Sequence, residues 1–165
     1  MSVVRSRIAP CLWFDTQGED AAKFYVSVFK NSKILRTSHF GKEGLEIHHQ
    51  PAGMVMVVEF ELDGQRFLAL NGGPQFKFSE AISMSVSCAD QAEVDYYWSK
   101  LTAGGGQEGP CGWLNDKFGL SWQIVPEVLP NMLMDSQSDK AQRVTKAFMQ
   151  MKKLDIATLE AAYAG

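Results

Sequence analysis

Asp116-Lys117-Phe118-Gly119-Leu120-Ser121-Trp122-Gln123-Ile124-Val125 is the stretch whose reading decides the fold. Asp-x-x-Gly is a turn signal, because a short carboxylate can bond the backbone that follows it and glycine accepts a left-handed conformation. The run after it predicts a strand over Leu120 to Val125 whose alternate side chains point to opposite faces. Cys111 to Asn115 lies on the other side of the turn and predicts the partner strand. Asp116 is expected to fix the turn through its own backbone. Trp113 and Trp122 are expected to be core or subunit anchors, since large aromatics are mostly buried.

Working outward, the same pattern occurs earlier in the chain. Met54 to Leu62, Asp63-Gly64 and Gln65 to Asn71 predict a hairpin, since Asp-Gly supplies the positive φ values of a two-residue turn. That register sets Glu61 opposite Arg66 and Phe60 opposite Phe67. Thr16-Gln17-Gly18-Glu19 is a capping-box pattern, followed by an apolar stripe at Ala21, Phe24, Tyr25 and Val28. Asp90 and Glu93 stand in the same relation to Val94, Tyr97, Trp98 and Leu101. Strands are expected before each helix, over Ile8 to Phe14 and Ala81 to Cys88, and after the first, over Lys33 to Phe40. Strand, helix and three strands thus occur twice, and neither copy could easily bury both sheet faces alone. The expected division is a single domain over 1–165, with a first βαβββ module at 6–75, a second at 78–126 and a helical extension at 127–165.

In that extension, Val128 to Met134 predicts a short helical turn. Ser138 to Lys153 predicts a helix with Ala141, Val144, Phe148 and Met151 on one side and Lys152-Lys153 favouring its C-terminal dipole. Asp155 is placed to cap a last helix carrying Ile156, Leu159 and Tyr163. These stripes suit a lid on the sheet or a subunit contact.

Composition removes several classes of function. The 165 residues are 45% hydrophobic and 11% aromatic with net charge -3, and no basic cluster exceeds Lys152-Lys153. Nothing there would neutralise a run of phosphates, so no nucleic-acid partner is expected. Met1 to Arg7 has no apolar run of a leader, and no stretch approaches membrane-spanning length. Three cysteines, Cys11, Cys88 and Cys111, are odd in number and set in apolar runs, as expected of reduced core thiols in a cytoplasmic protein. Gly104-Gly105-Gly106 follows a helix rather than a strand, so it is no dinucleotide cradle. No Ser-His-Asp set is readable, and no cysteine has a neighbour that would favour a thiolate.

The helix pair Phe24-Tyr25, the run Leu70-Asn71-Gly72-Gly73-Pro74 after the first hairpin, and Asp116-Lys117-Phe118-Gly119 followed by Trp122 resemble the vicinal oxygen chelate superfamily. Glyoxalase I, extradiol dioxygenases and the bleomycin- and fosfomycin-resistance proteins belong to it. The chain looks most like its PhnB-like branch, over nearly all of residues 6–126. The resemblance implies an α+β fold in which two βαβββ modules form a curved, cup-shaped mixed sheet with helices outside, and it implies a homodimer. In metal-dependent members four side chains in the cup hold a divalent ion. Here the corresponding positions fall on Pro10, at or near Leu68, on Ala81 and on Gln123. One neutral amide cannot hold Zn²⁺ or Fe²⁺ by itself, so no metal site and no cofactor are expected. His48-His49, in a loop expected over Gly41 to Gly53 with His39 at its entrance, read better as a solvated loop than as a rival site. Some members carry the label 3-demethylubiquinone 3-methyltransferase, yet no glycine-rich βαβ unit is present to hold S-adenosylmethionine.

In Ala81 to Cys88, Ile82, Met84, Val86 and Cys88 form the face expected under a helix, with Ser83 and Ser85 on the other. If Ala81 marks the cup side, the lining is Ser83 and Ser85 with Pro10, Leu12, Phe14, Leu68, Leu70 and Gln123. Asn71 is expected to point into the rim or to end its strand. A solvent-exposed sheet face is the plainer reading of the serines. From these residues the candidate ligand-binding set is Leu12, Leu68, Asn71, Ser83, Ser85 and Gln123, suited to a small, partly apolar molecule. Two functional classes follow: a metal-free binding protein, which the missing ligands favour, and a superfamily enzyme whose site has been rebuilt.

Overall fold

The computed structural model describes residues 6–165, so residues 1–5 of the expected leaderless N-terminus lie outside the described residues. The chain divides into two compact units, residues 1–77 and 78–165.

In the first unit β1 (Cys11–Phe14) precedes α1 (Gly18–Val28), β2 (Lys33–His39), the one-turn α2 (Leu45–His48), β3 (Val55–Leu62) and β4 (Gln65–Asn71). The strands lie in the order β1-β4-β3-β2, with β1 parallel to β4 and the other pairs antiparallel. In the second unit β5 (Ser83–Cys88) precedes α3 (Gln91–Thr102), β6 (Gln107–Glu108), β7 (Trp113–Asn115) and β8 (Ser121–Pro126), with the same order, β5-β8-β7-β6. The fold is α+β, and the strand–helix–three-strand unit is present twice with one topology.

The first hairpin has the expected register. Phe60 faces Phe67 and Glu61 faces Arg66, and Asp63 and Gly64 both take positive φ, +46° and +78°, as a hairpin turn of this hand requires. On the covered side of this sheet Tyr25, Phe60 and Phe67 are stacked, with ring centroids 6.4 and 5.5 Å apart. Ala21, Ala22 and Val28 of α1 are buried there with Leu12, Phe14, Val58 and Ala69. Each large side chain buried in this way contributes about 1.5–3 kcal/mol relative to an exposed one.

The two helices begin differently. At α3, Asp90 accepts from Glu93 N and Glu93 returns to Ala89 N, so a reciprocal cap forms. The capping box expected at Thr16–Glu19 does not form: α1 has no side-chain cap of its own. Gly18 N instead donates to Asn71 Oδ1 at 2.7 Å, across the sheet from β4.

Other expectations shift at element ends. β1 starts at Cys11, and Ile8 is 82% exposed. β5 starts at Ser83, and Ile82, placed in the sequence reading on the helix-covered face, is exposed. The expected loop 41–53 contains α2, whose ends are two left-handed residues, Gly44 and His49.

Beyond β8 come α4 (Val128–Met132), α5 (Asp139–Phe148) and α6 (Ile156–Ala164). Ser138 caps α5 and Asp155 caps α6, each through a backbone N–H three residues on. Because α5 ends at Phe148, Lys152-Lys153 lie past its dipole, and Lys153 pairs with Asp95 at 2.6 Å instead. Leu129, Val144, Leu154 and Leu159 form a separate buried cluster with Val125 of β8 packed against it. The backbone at 151–152 accepts from Cys111 N and Gly112 N, tying this extension to the start of β7.

Candidate functional site

Each sheet has one face under its helix and one face left open by it. Directly paired residues share a face, so the registers assign every side chain. In the first unit Leu12 is in register with Ala69 and Phe14 with Asn71, which puts all four on the α1 side. Leu68 pairs with Glu59 and Cys11, on the open side. Leu12 and Leu68 therefore do not line one surface: Leu12 is buried core beneath α1. Asn71 is core too. Its Oδ1 holds Gly18 N and its Nδ2 donates to Val55 O at 3.0 Å, so both ends of the amide are used in structure rather than at a rim.

The open side of the first sheet carries an ion cluster that the sequence reading missed. Glu59, buried at 5% exposure, accepts from Arg36 Nε and Arg66 Nε. The hydrogen bond from Arg66, then that from Arg36, holds its carboxyl below the usual carboxylate range against the opposing effect of burial.

In the second unit, Ser83, Ser121, Asn115 and Gln107 form one row across all four strands, and Ser85, Gln123 and Trp113 form the next. Gln123 Nε2 donates to Ser83 Oγ at 2.9 Å. Ser83 and Gln123 are half-buried and Ser85 is exposed. These three candidate residues are brought together on one face. Gln123 is thus in register with Ser85 and bonded to Ser83, whereas Ala81 lies exposed before the strand.

A concavity of about 450 Å³ opens on the β6–β7 side of this sheet, bordered by Glu80, Glu108, Pro110, Trp113, Asn115 and Ser121 among others. Its wall is mainly apolar. Asn115 Nδ2 donates to Glu80 Oε1 at 3.0 Å. That bond and the Glu80 backbone N–H hold the Glu80 carboxyl below its usual range. Glu108 Oε1 accepts from Trp98 Nε1 at 2.9 Å. Ser121 is 1% exposed, and among the described residues its Oγ is the buried side-chain polar atom with no hydrogen-bond partner. Trp113, expected as a core or subunit anchor, is partly exposed here. Counting outward from the Asp116–Gly119 turn pairs Trp113 with Gln123, so this signal was present in the sequence.

The turn itself is built as expected. Asp116 Oδ1 accepts from Phe118 N at 2.8 Å and Leu120 N at 3.1 Å. Gly119 takes φ +87°.

A divalent metal does not fit the positions aligned with the superfamily ligands, since Pro10, Leu68 and Ala81 offer no donor side chain. Among the described residues no group of three or more His, Cys, Asp or Glu comes together in a way that could hold a metal ion. His48 serves its own loop: its Nδ1 accepts from Gln50 N at 3.0 Å, and its ring lies 4.7 Å from that of Phe40. His39 and His49 are exposed. The cysteines are free thiols, but only Cys88 is buried, Cys11 being exposed and Cys111 intermediate. No helix among the described residues is long and apolar enough to cross a membrane.

Comparison with known proteins agrees with this architecture. A family model described as 3-demethylubiquinone-9 3-methyltransferase matches residues 6–125. The structure of a PhnB protein from Bacillus cereus is 31% identical, covering 73% of this chain and 99% of its own, with a TM-score of 0.63. A Pseudomonas aeruginosa protein is 19% identical over 74% of this chain and 98% of its own, with a TM-score of 0.59. A fosfomycin resistance protein from Mesorhizobium loti is 11% identical over 74% and 91%, with a TM-score of 0.51. The last two speak for the fold alone. None of the curated proteins matches the chain.

Proposed function

The chain belongs to the PhnB-like branch of the vicinal oxygen chelate superfamily, the family described as 3-demethylubiquinone-9 3-methyltransferase, and from that premise we propose that it binds a small, partly apolar molecule without the superfamily's four-ligand metal site. The observation that carries this reading is the open face of β5–β8–β7–β6. There Ser83, Ser85 and Gln123 stand beside Trp113 and a mainly apolar concavity. A few placed polar groups in an apolar wall are the usual make-up of a small-molecule site. Leu68 remains a candidate lining residue on the first sheet's open side. Leu12 and Asn71 are withdrawn, because both are used in the core.

Methyl transfer, which the family's description names, is not part of the proposal. Gly104 to Gly106 follow α3, where no helix N-terminus is presented to a cofactor. A homodimer, a cytoplasmic location and the division into modules 6–75 and 78–126 with an extension 127–165 go with this reading. Light scattering tests the first of these.

The test of binding is a thermal-shift screen of small organic molecules against the full chain, with and without divalent ions. Organic molecules that raise Tm in the presence of chelator support the proposal, and Ser83→Trp should abolish those shifts in a protein that still folds. Shifts that appear only with a divalent ion, together with stoichiometric metal in protein purified without chelator, would overturn it in favour of a rebuilt metal-dependent enzyme.

A further inference from the structure

We propose that the concavity beside β6 and β7 takes an amine-bearing aromatic molecule, its ring against Trp113 and Pro110 and its N–H groups on Glu80, Asn115 and Ser121. This deepens the binding reading above and rests on it.

The argument starts from hydrogen-bond supply. Ser121 Oγ is buried without a partner at the border of the cavity. Such a group is costly to leave unmade, and a native one calls for an explanation. A ligand entering the cavity is the available partner. Two of the other polar groups there, Glu80 and Asn115, offer oxygens that can accept. Asn115 uses one amide N–H on Glu80, and its carbonyl oxygen is left to accept. The hydrogen bonds from Asn115 and from the Glu80 backbone N–H hold the Glu80 carboxyl below the ordinary carboxylate range. Glu108 is in register with Leu114 on the α3 side and accepts from Trp98 Nε1, so Glu80 is the carboxylate available on the open side. A carboxylate has no donor, and no Lys, Arg or His is among the residues that border the cavity.

An anionic ligand would face the Glu80 carboxylate with no counter-charge. A neutral apolar ligand would leave Ser121 unsatisfied. An ammonium or amino group satisfies the acceptors with charge-assisted bonds, while Trp113 and Pro110 give the apolar wall for a ring. The cavity volume of about 450 Å³ lies within the range of small-molecule sites.

Three indoles of similar size separate the possibilities: tryptamine, indole-3-acetate and 3-methylindole, each titrated into the ¹⁵N-labelled full chain. Tryptamine is expected to shift the amides of Trp113, Asn115 and Ser121 and to bind about tenfold more tightly than indole-3-acetate, which corresponds to one charge-assisted bond gained. Glu80→Gln should remove most of that preference. Ser121→Ala should weaken tryptamine binding while leaving the Tm of the free protein equal or higher, because it removes an unpaired buried hydroxyl.

Equal binding of the anionic and cationic indoles would overturn the amine assignment and leave the binding reading standing. If no indole perturbs these amides but other molecules raise Tm and lose that effect in Ser83→Trp, the site is wrong. If nothing binds at all, both readings fall. A Ser121→Ala protein several degrees less stable would mean that the hydroxyl already has a partner, which removes the premise.

Discussion

The indole Nε1–H of Trp122 donates to Asp116 Oδ2 at 2.8 Å, both residues being nearly fully buried. One carboxylate thereby closes the turn with its first oxygen and anchors the strand after it with its second. Asp116→Ala would leave Phe118 N, Leu120 N and the indole without that acceptor. A loss of about 2–4 kcal/mol is expected, read as a lower urea midpoint with an unchanged m-value. Asp116→Asn keeps the shape but loses the charge and one acceptor, and should fall between the two. A wild-type midpoint in Asp116→Ala would mean that the turn is held by its glycine alone.

Asn71 makes a comparable anchor for the first unit. Asn71→Leu preserves volume but leaves Gly18 N and Val55 O unmatched, and is expected to cost about 2–3 kcal/mol. Gly18→Ala tests the same contact from the other side. A Cβ there would lie 2.8 Å from Asn71 Oδ1, so the usual gain from replacing glycine in a helix should be reversed. Equilibrium unfolding of both variants checks this, and a stabilised Gly18→Ala would contradict it.

Acid should act partly through Glu59. Its folded carboxyl lies below its unfolded value of about 4.3, because Arg66 first and Arg36 next bond to the charged form. A depressed pKa stabilises the fold above the unfolded value, and that stability is lost as pH falls through the folded one. Urea midpoints measured from pH 6 to pH 2 should decline less steeply for Glu59→Gln than for the wild type. Parallel curves would indicate that the ion cluster adds nothing to the acid response.

Thiol reactivity should be uneven. Burial first, then the nearby carboxylates of Glu93, Asp90 and Glu127, push the Cys88 thiol up to about 12. At pH 8 its thiolate fraction is then on the order of one in ten thousand. A disulfide reagent should modify exposed Cys11 faster than Cys88, although burial raises the Cys11 thiol too. Cys88 should react only on unfolding, and Cys88→Ser should remove that slowest phase. Since the folded pKa is raised, the associated stability is complete below the unfolded value of about 8.5 and is lost as pH rises toward 12.

The architecture was legible because its signals are local. Asp63-Gly64 and Asp116–Gly119 fix two hairpins, and the hairpin registers then fix which side chains share a face. The stripes at Ala21–Val28 and Val94–Leu101 mark the covered sides, and the Asp90 cap is spelled out within four residues. The site was less legible because its assignments depend on pairings between distant strands. The ligand positions implied by the resemblance, extended by alternation, put Leu12 on the side of Leu68, whereas the parallel register with β4 puts it beneath α1. Ser83, Ser85 and Gln123 were grouped correctly by parity, but Ser121 was passed over. Its meaning lies in a missing partner, and no sequence pattern records that.

The unequal beginnings of α1 and α3 bear on the order in which the chain acquires structure. α3 carries its cap within its own first turn, so it can be nucleated by residues three apart. The acceptor for the first amide of α1 is 53 residues away, on the last strand of its unit. Closing a loop of that length comes before any return from the contact. Two halves with one topology are thus set to fold on different schedules, with the second helix available early and the first waiting for β4 to arrive.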